Sequence, residues 1–318
     1  MTEHAAEVLA EIRQRRDAPS RLEPACRRGT RLGLVVEGGA MRGAISMAYL
    51  AALERQRMNT VFDDIFAESA GAVNAAYFVS GQAETGLELY RRAARSPGFL
   101  HKWRLHGILD LDAVFEPIAA GELSLDCDRL RRSPTVVTVS LTDCAHGEPA
   151  TLVLEGSDER IRTILKATSA VVPYYNRAVL LEGRGFVDGG IADPVPVLRA
   201  IEAGCSHILV LLTRPEDYRP RRLRFWERAL TRLLVAPWGS DFRHVFHHSR
   251  PQRYYLARSL ALGREKPPAA VRIAALAPPA ALGRMDRFSN SADRIEAVLQ
   301  SCSSQMESLL SNGTPGAG

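Results

Sequence analysis

Short β-branched apolar runs alternate along this chain with amphipathic stretches in a regular order. The run LGLVV, starting at Leu32, leads through EGGAMRG into the helical stretch AISMAYLAALERQ. FDDIF is the next apolar run, with AESAG as its turn and AVNAAYFVSG as its helix. Strand, small-residue turn and helix, given twice in succession, predict a parallel sheet with helices on both faces. Further strands are expected over 135–141, 151–155, 178–182 and 207–213, with helices over 83–95, 158–168 and 195–203 between them.

Outside this alternation the pattern changes twice. Residues 1–30 read as a short amphipathic helix and a polar linker containing Pro and Arg, an N-terminal extension to a core spanning 31–215. From Arg214 the composition turns Arg- and Pro-rich. Helical stretches are expected near 222–235 and 241–262, a late strand over 271–276, and a helix capped near Ser289. Residues 216–318 are therefore expected as a helical addition packed on the same domain.

Composition narrows the class. With 318 residues, 46% hydrophobic and 24% charged, the chain can bury a substantial core and is not compositionally disordered. The net charge of +5 favours anionic partners, among them phospholipid surfaces, nucleic acid and acidic metabolites. Cys26, Cys127, Cys144, Cys205 and Cys302 are odd in number and widely spaced, which argues against a disulfide framework or a zinc ribbon and for reduced thiols in the cytoplasm. The first residues carry charges throughout and lack the apolar core of a secretory signal. No stretch approaches the ~20 apolar residues of a membrane span, so membrane contact is expected to be peripheral.

Three segments carry candidate chemistry. Gly38, Gly39, Ala40, Met41, Arg42 and Gly43 lie between a strand and a helix, where backbone N–H groups can turn toward a phosphate or an acyl-transfer oxyanion. The loop lacks the Gly-Lys-Ser/Thr of a P-loop and the spacing of a dinucleotide fingerprint, and a tight structural turn is its bland reading. Ser69, in Ala67-Glu68-Ser69-Ala70-Gly71, stands at a second strand-to-helix turn, as a nucleophile would; a helix N-cap serine is the alternative. Asp188, in Val187-Asp188-Gly189-Gly190, closes a later strand as a base would, or simply as an Asp-Gly turn would.

Taken together and in this order, the segments resemble the patatin-like phospholipase family, with its GGGxRG oxyanion loop, GxSxG elbow and DG[GA] aspartate. The stretch LKATSAVVPYYNRAVLLEGRGFVDGG resembles the family's approach to its aspartate, and VVEGG resembles the first motif of a bacterial cytoplasmic branch. The resemblance covers roughly residues 31–215. It implies a three-layer α/β/α sandwich with a mainly parallel sheet, and a serine acyl-ester hydrolase acting on phospholipid or lysophospholipid. Ser69 would be the nucleophile and Asp188 its base, without an intervening histidine. Gly38, Gly39, Ala40, Arg42 and Gly43 would form the oxyanion loop, and no metal or organic cofactor is implied. Acyl transfer by the same dyad, or lipid binding without catalysis, are the alternatives within the family.

The chain departs from the family pattern at three positions. Ala40 replaces a glycine, tolerable if that position avoids positive φ. Ala67 replaces the elbow glycine. Glu68 sets a charge beside the nucleophile, to be solvated, paired with an arginine or disruptive. His244 and His248 share helical i, i+4 spacing but lack the glutamate of a zinc-protease motif, and a solvated basic helix is the simpler reading. A nucleotide- or nucleic-acid-binding role lacks a Walker lysine and an aromatic-basic motif, so none is expected. In RPRRLRFWERALTRLLVAPW (219–238), Leu223, Trp226, Leu230, Leu233 and Leu234 recur at helical spacing, largely apart from Arg222, Arg224, Arg228 and Arg232. The simpler expectation is that this stripe joins the core; contact with an anionic bilayer is the alternative.

Overall fold

A computed structural model describes residues 3–17, 29–95, 110–219, 224–289 and 291–311. Cys26, most of the expected linker, Arg222, Leu223 and the C-terminal NGTPGAG fall outside them. The strands are β1 (Leu32–Val36), β2 (Asp64–Glu68), β3 (Val136–Asp143), β4 (Pro149–Val153), β5 (Val179–Leu181), β6 (Arg184–Asp188), β7 (His207–Leu211) and β8 (Arg272–Leu276). They form one sheet in the order β5-β6-β3-β2-β1-β7-β8, with β4 paired to β3 off this path. The run from β3 through β2, β1 and β7 to β8 is parallel, while β4, β5 and β6 pair antiparallel.

The helices in chain order are α1 (Glu3–Asp17), α2 (Gly43–Arg55), α3 (Ala70–Val79), α4 (Ala83–Arg95), α5 (Leu111–Ala119) and α6 (Cys127–Arg132), then α7 (Asp158–Thr168), α8 (Val197–Glu202), α9 (Phe225–Val235), α10 (Ser240–His244), α11 (Arg250–Ala261) and α12 (Ala292–Ser311). The central strands sort their side chains by the two-residue period of a pleated sheet. Leu34, Val36, Ile65 and Ala67 pack among residues of α1, α2, α3 and α12, whereas Val35, Phe66 and Val210 pack with α8 and α11 on the other face. Every residue of β1 and β2 is buried, as a parallel sheet covered on both sides requires. This is the three-layer α/β/α sandwich that the alternation predicts.

Several expectations need correction. The second strand runs over Asp64–Glu68 rather than FDDIF, so it ends directly at Ser69. The acidic pair at its start is held by arginines: Arg15 Nη1 donates to Asp63 Oδ2 at 2.6 Å and Arg31 Nε to Asp64 Oδ2 at 2.6 Å. The N-terminal helix belongs to the core, with Val8, Leu9 and Ile12 buried and α1 packed against β8. The late strand and the helix after it occur as expected, β8 joining the sheet beside β7 and α12 lying along α2. The stretch expected as one helix over 241–262 is α10 and α11 joined by a π-helical turn, Val245–Ser249. The apolar stripe of α9 does not join the core, because Val235 is its sole buried residue.

Candidate active site

β2 delivers Ser69 into a sharp turn. Its backbone stands at φ +53° and ψ −136°, a conformation that typically costs about 1–3 kcal/mol and persists where the surroundings hold it. Those surroundings are specific. Ser69 N donates to Thr168 Oγ1 at 2.8 Å, and Thr168 Oγ1 donates to the Ser140 carbonyl of β3 at 2.7 Å. A Cβ at Gly71 would lie 2.4 Å from the Val36 carbonyl oxygen, so only glycine lets α3 start this close to β1. Ser69 occupies the N-cap position of α3 without a side-chain capping bond. Its hydroxyl is near enough to the Asp188 carboxyl to help hold that group's pKa down.

Asp188 arrives from β6 on the other side of β3. Ser140 is opposite Glu68 and Leu141 opposite Asp188, so the sheet register brings the ends of β2 and β6 to neighbouring positions on β3. The aspartate is locked in place: Thr142 Oγ1 donates to its carbonyl at 2.8 Å and Gly190 N to its Oδ1 at 2.8 Å. A Cβ at Gly189 would lie 2.0 Å from the Ser140 carbonyl oxygen, which accounts for the glycine after the aspartate. Burial pushes the Asp188 carboxyl above the usual carboxylate range. The Ser69 hydroxyl, the charge of Arg250, the Gly190 N–H and Arg287 oppose that rise.

The glycine loop follows β1. Gly39 has φ +142° and Ala40 φ +54°, so the position where family members carry glycine does adopt positive φ, and Ala40 bears the strain. Gly38 has a different task from the one expected. Its N–H donates to Glu68 Oε1 at 2.7 Å, and a Cβ there would lie 2.8 Å from Ser69 Cβ. The N–H groups of Gly39, Ala40 and Ala70 have no partner among the described residues. Gly43 serves packing, because a Cβ on it would lie 2.2 Å from the Tyr90 hydroxyl. Arg42 is buried beneath the loop, with its Nε and Nη2 each 3.0 Å from where a Gly39 Cβ would stand.

Two charged groups here carry no motif. Glu68 is buried rather than solvated, and its pKa is pushed up to about 8 by burial and by Asp188; the Gly38 N–H opposes this, Glu37 adds to it and Arg250 opposes it. A Cβ on Gly190 would lie 2.9 Å from both Glu68 Oε2 and Asp188 Oδ1, so the two carboxyl groups converge on that glycine. Arg250 donates from Nε to the Gly190 carbonyl at 3.0 Å. Burial and the nearby Arg287 lower its pKa to about 10. Arg42 is likewise lowered to about 10 by burial, Arg214 and Arg287. Glu37 balances this positive cluster, accepting from Thr213 N at 2.6 Å and from the Tyr254 hydroxyl at 3.1 Å.

Ser69 opens onto a cavity of about 650 Å³. Ala40, Ala70, Val73, Leu89, Val114 and Phe115 contribute to its largely apolar wall, and Arg287 and Phe288 border it from the C-terminal part. None of the described histidines lines it, and no group of three metal-ligating side chains occurs among the described residues. Sequence reasoning missed Thr168, Arg250 and Arg287. Thr168 stood within the quoted LKATSA segment. Arg250 and Arg287 come from a region without motif and reach the site only through packing.

A strained serine at a strand-to-helix turn, a locked aspartate and a glycine loop at one end of a parallel sheet define a class, and comparison with known proteins agrees. A family model described as patatin-like phospholipase matches residues 34–201, and the chain belongs to this family of lipid acyl hydrolases. It is 27% identical over 255 residues to Uncharacterized protein YjjU of Escherichia coli (strain K12), covering 78% of this chain and 69% of that protein. Among solved structures it is similar to VipD from Legionella pneumophila, with a TM-score of 0.39 and 12% identity over 86% of this chain and 67% of the other.

Proposed function

We propose that the protein hydrolyses carboxylic esters of phospholipids or lysophospholipids through an acyl-Ser69 intermediate, with Asp188 as the base. The observation that carries this reading is the strained Ser69 at the mouth of an apolar cavity, with the sheet register bringing the buried Asp188 to the neighbouring position across β3. Ser69 Oγ attacks the ester carbonyl carbon as its proton passes to Asp188. The tetrahedral oxyanion is received by the free N–H groups of Gly39, Ala40 and Ala70, a single such donor being worth ~2.7–4 kcal/mol in the transition state. Collapse expels the alcohol, which takes the proton from Asp188; water then attacks the acyl-serine by the same route in reverse. Gly38 keeps the loop in place through Glu68, and Arg42 supports it from below. The acyl chain lies along Val73, Leu89, Val114 and Phe115. Free thiols at Cys127, Cys144, Cys205 and Cys302 support placement in a reducing compartment such as the cytoplasm.

The experiment is labelling with a fluorophosphonate probe, read by intact mass on wild type, Ser69→Ala and Asp188→Asn. The expected result is a single adduct on wild type, none on Ser69→Ala and a much slower one on Asp188→Asn. An adduct that persists on Ser69→Ala, or no adduct on folded wild type, overturns the assignment.

A further inference from the structure

Helix α9 presents large apolar side chains to water. Phe225 is 88% exposed, Leu233 68%, Trp226 58% and Leu230 48%, and Ala229 is exposed between them. These positions share one face of the helix at i, i+4 and i, i+3 spacing. Arg228 and Arg232, one turn apart, border that face and are exposed, with no ion pair to a described carboxylate. A contiguous apolar surface edged by cations is not what a folded monomer leaves in water without a use for it.

The opposite face of α9 is held firmly. Val235 is buried, and Asn176 Nδ2 donates to the Leu234 carbonyl at 3.3 Å. Trp238 Nε1 donates to Asn176 Oδ1 at 2.6 Å, and its ring stacks on Phe242 at 4.8 Å. Asn176 belongs to the turn in which Val171 lines the cavity, and Tyr174 of that turn meets Phe288, another cavity residue, edge-on at 4.7 Å. The exposed face is therefore a fixed feature of the molecule, joined by short contacts to the wall of the cavity that holds Ser69.

We propose that α9 docks the protein onto an anionic lipid bilayer, with Phe225, Trp226, Leu230 and Leu233 seated at the headgroup–acyl boundary and Arg228 and Arg232 on lipid phosphates. The composition of the face selects this occupant. Tryptophan and phenylalanine beside leucine, with arginine at the margin, match a bilayer interface, and the net charge of +5 adds attraction to an anionic leaflet. Docking rests on this surface alone; that it brings lipid esters to the cavity rests on the hydrolase reading.

The test is co-sedimentation of the full chain with phosphatidylcholine vesicles, with and without phosphatidylserine. It compares wild type, Trp226→Ser/Leu233→Ser and Arg228→Glu/Arg232→Glu. All these positions are exposed, and thermal melts verify that each variant folds. Wild type is expected to bind the anionic vesicles and to bind neutral ones far more weakly. Charge reversal is expected to weaken binding on the order of 100-fold, and the serine pair to weaken it at least tenfold. Wild type that binds neither vesicle, or that binds unchanged after both substitutions, overturns the proposal. So does a lipid-free dimer of wild type that the serine pair dissociates, which would make this face a contact between copies. Hydrolysis of a short soluble ester separates the two readings. It is expected to be equal in all three proteins, and its failure in a vesicle-binding wild type would sink the hydrolase assignment while leaving the docking intact.

Discussion

Glu68 Oε1 accepts the N–H of Gly38 at 2.7 Å, so the residue preceding the candidate nucleophile holds the start of the glycine loop. The same carboxyl group meets Asp188 at Gly190. Glu68 thus has two separable effects: an acceptor that positions the loop and an acid that loads the site with negative charge when ionised.

Glu68→Gln keeps an acceptor and removes the acid. Below about pH 4.5 Glu68 is protonated in both the folded and unfolded chain; from there to about pH 8 the unfolded chain ionises it while the folded chain retains the proton. Wild-type stability therefore falls with rising pH across that window and levels off above it. The Tm advantage of Glu68→Gln is expected to grow from near zero at the acid end to several degrees at the alkaline end. An advantage that does not change with pH would sink the assignment of a raised pKa. Glu68→Ala, which also loses the acceptor, should reduce kcat with any ester.

Asp188 must be ionised to take a proton, and its pKa lies above the ordinary carboxylate range. Activity should therefore rise with pH through that elevated pKa. Asp188→Asn preserves the shape and the acceptor for Gly190 N but removes the base, and kcat/KM is expected to fall ~10²–10⁴-fold. The pH–rate profile of the variant should lose its acid limb; an unchanged limb would assign it to another group.

Ala40 at φ +54° is a stability test of the loop. A left-handed non-glycine residue costs roughly 1–2 kcal/mol, and glycine gives back about 0.5–1 kcal/mol of this in chain entropy. Ala40→Gly should thus be neutral or stabilising by up to about 1.5 kcal/mol, with activity retained. Ala40→Val should lose both stability and probe labelling. Thermal melts and labelling rates check the pair.

If the acyl chain occupies the cavity, as proposed, its wall limits the chain length. Val114→Trp places a large ring against its wall and should raise KM for long-chain esters at least tenfold while leaving kcat on a short-chain ester unchanged. Equal effects on both substrates would show that the acyl chain does not lie along Val114.

The sandwich could be read from the sequence because its strands are local apolar runs and its turns carry small residues for stated steric reasons. Gly71 and Gly189 are glycines because a backbone carbonyl lies within 2.4 Å and 2.0 Å of where a Cβ would be. The boundary of β2 was less legible. The apolar run FDDIF suggests a strand beginning at Phe62, but Asp63 lies before it, paired with Arg15, and the strand runs on through Ala67 and Glu68 to Ser69. The N-terminal helix reads as an extension because nothing local reveals that β8 is its packing partner.

By itself the sequence determined the alternation of most strands and helices and the two strand-to-helix turns, and it nominated Ser69 and Asp188, since each depends on neighbours within a few positions; α5, α6 and the separation of β6 from β5 were not legible in it. Only the tertiary structure decided how these meet. The register across β3 brings Asp188 beside Ser69, and Arg250 and Arg287 enter the site from a region without motif. It also decided that Glu68 faces inward, and that the apolar stripe of α9 faces out. An amphipathic period states that a helix has an apolar side; which way that side points is settled by the elements packed behind it, and those come from far along the chain.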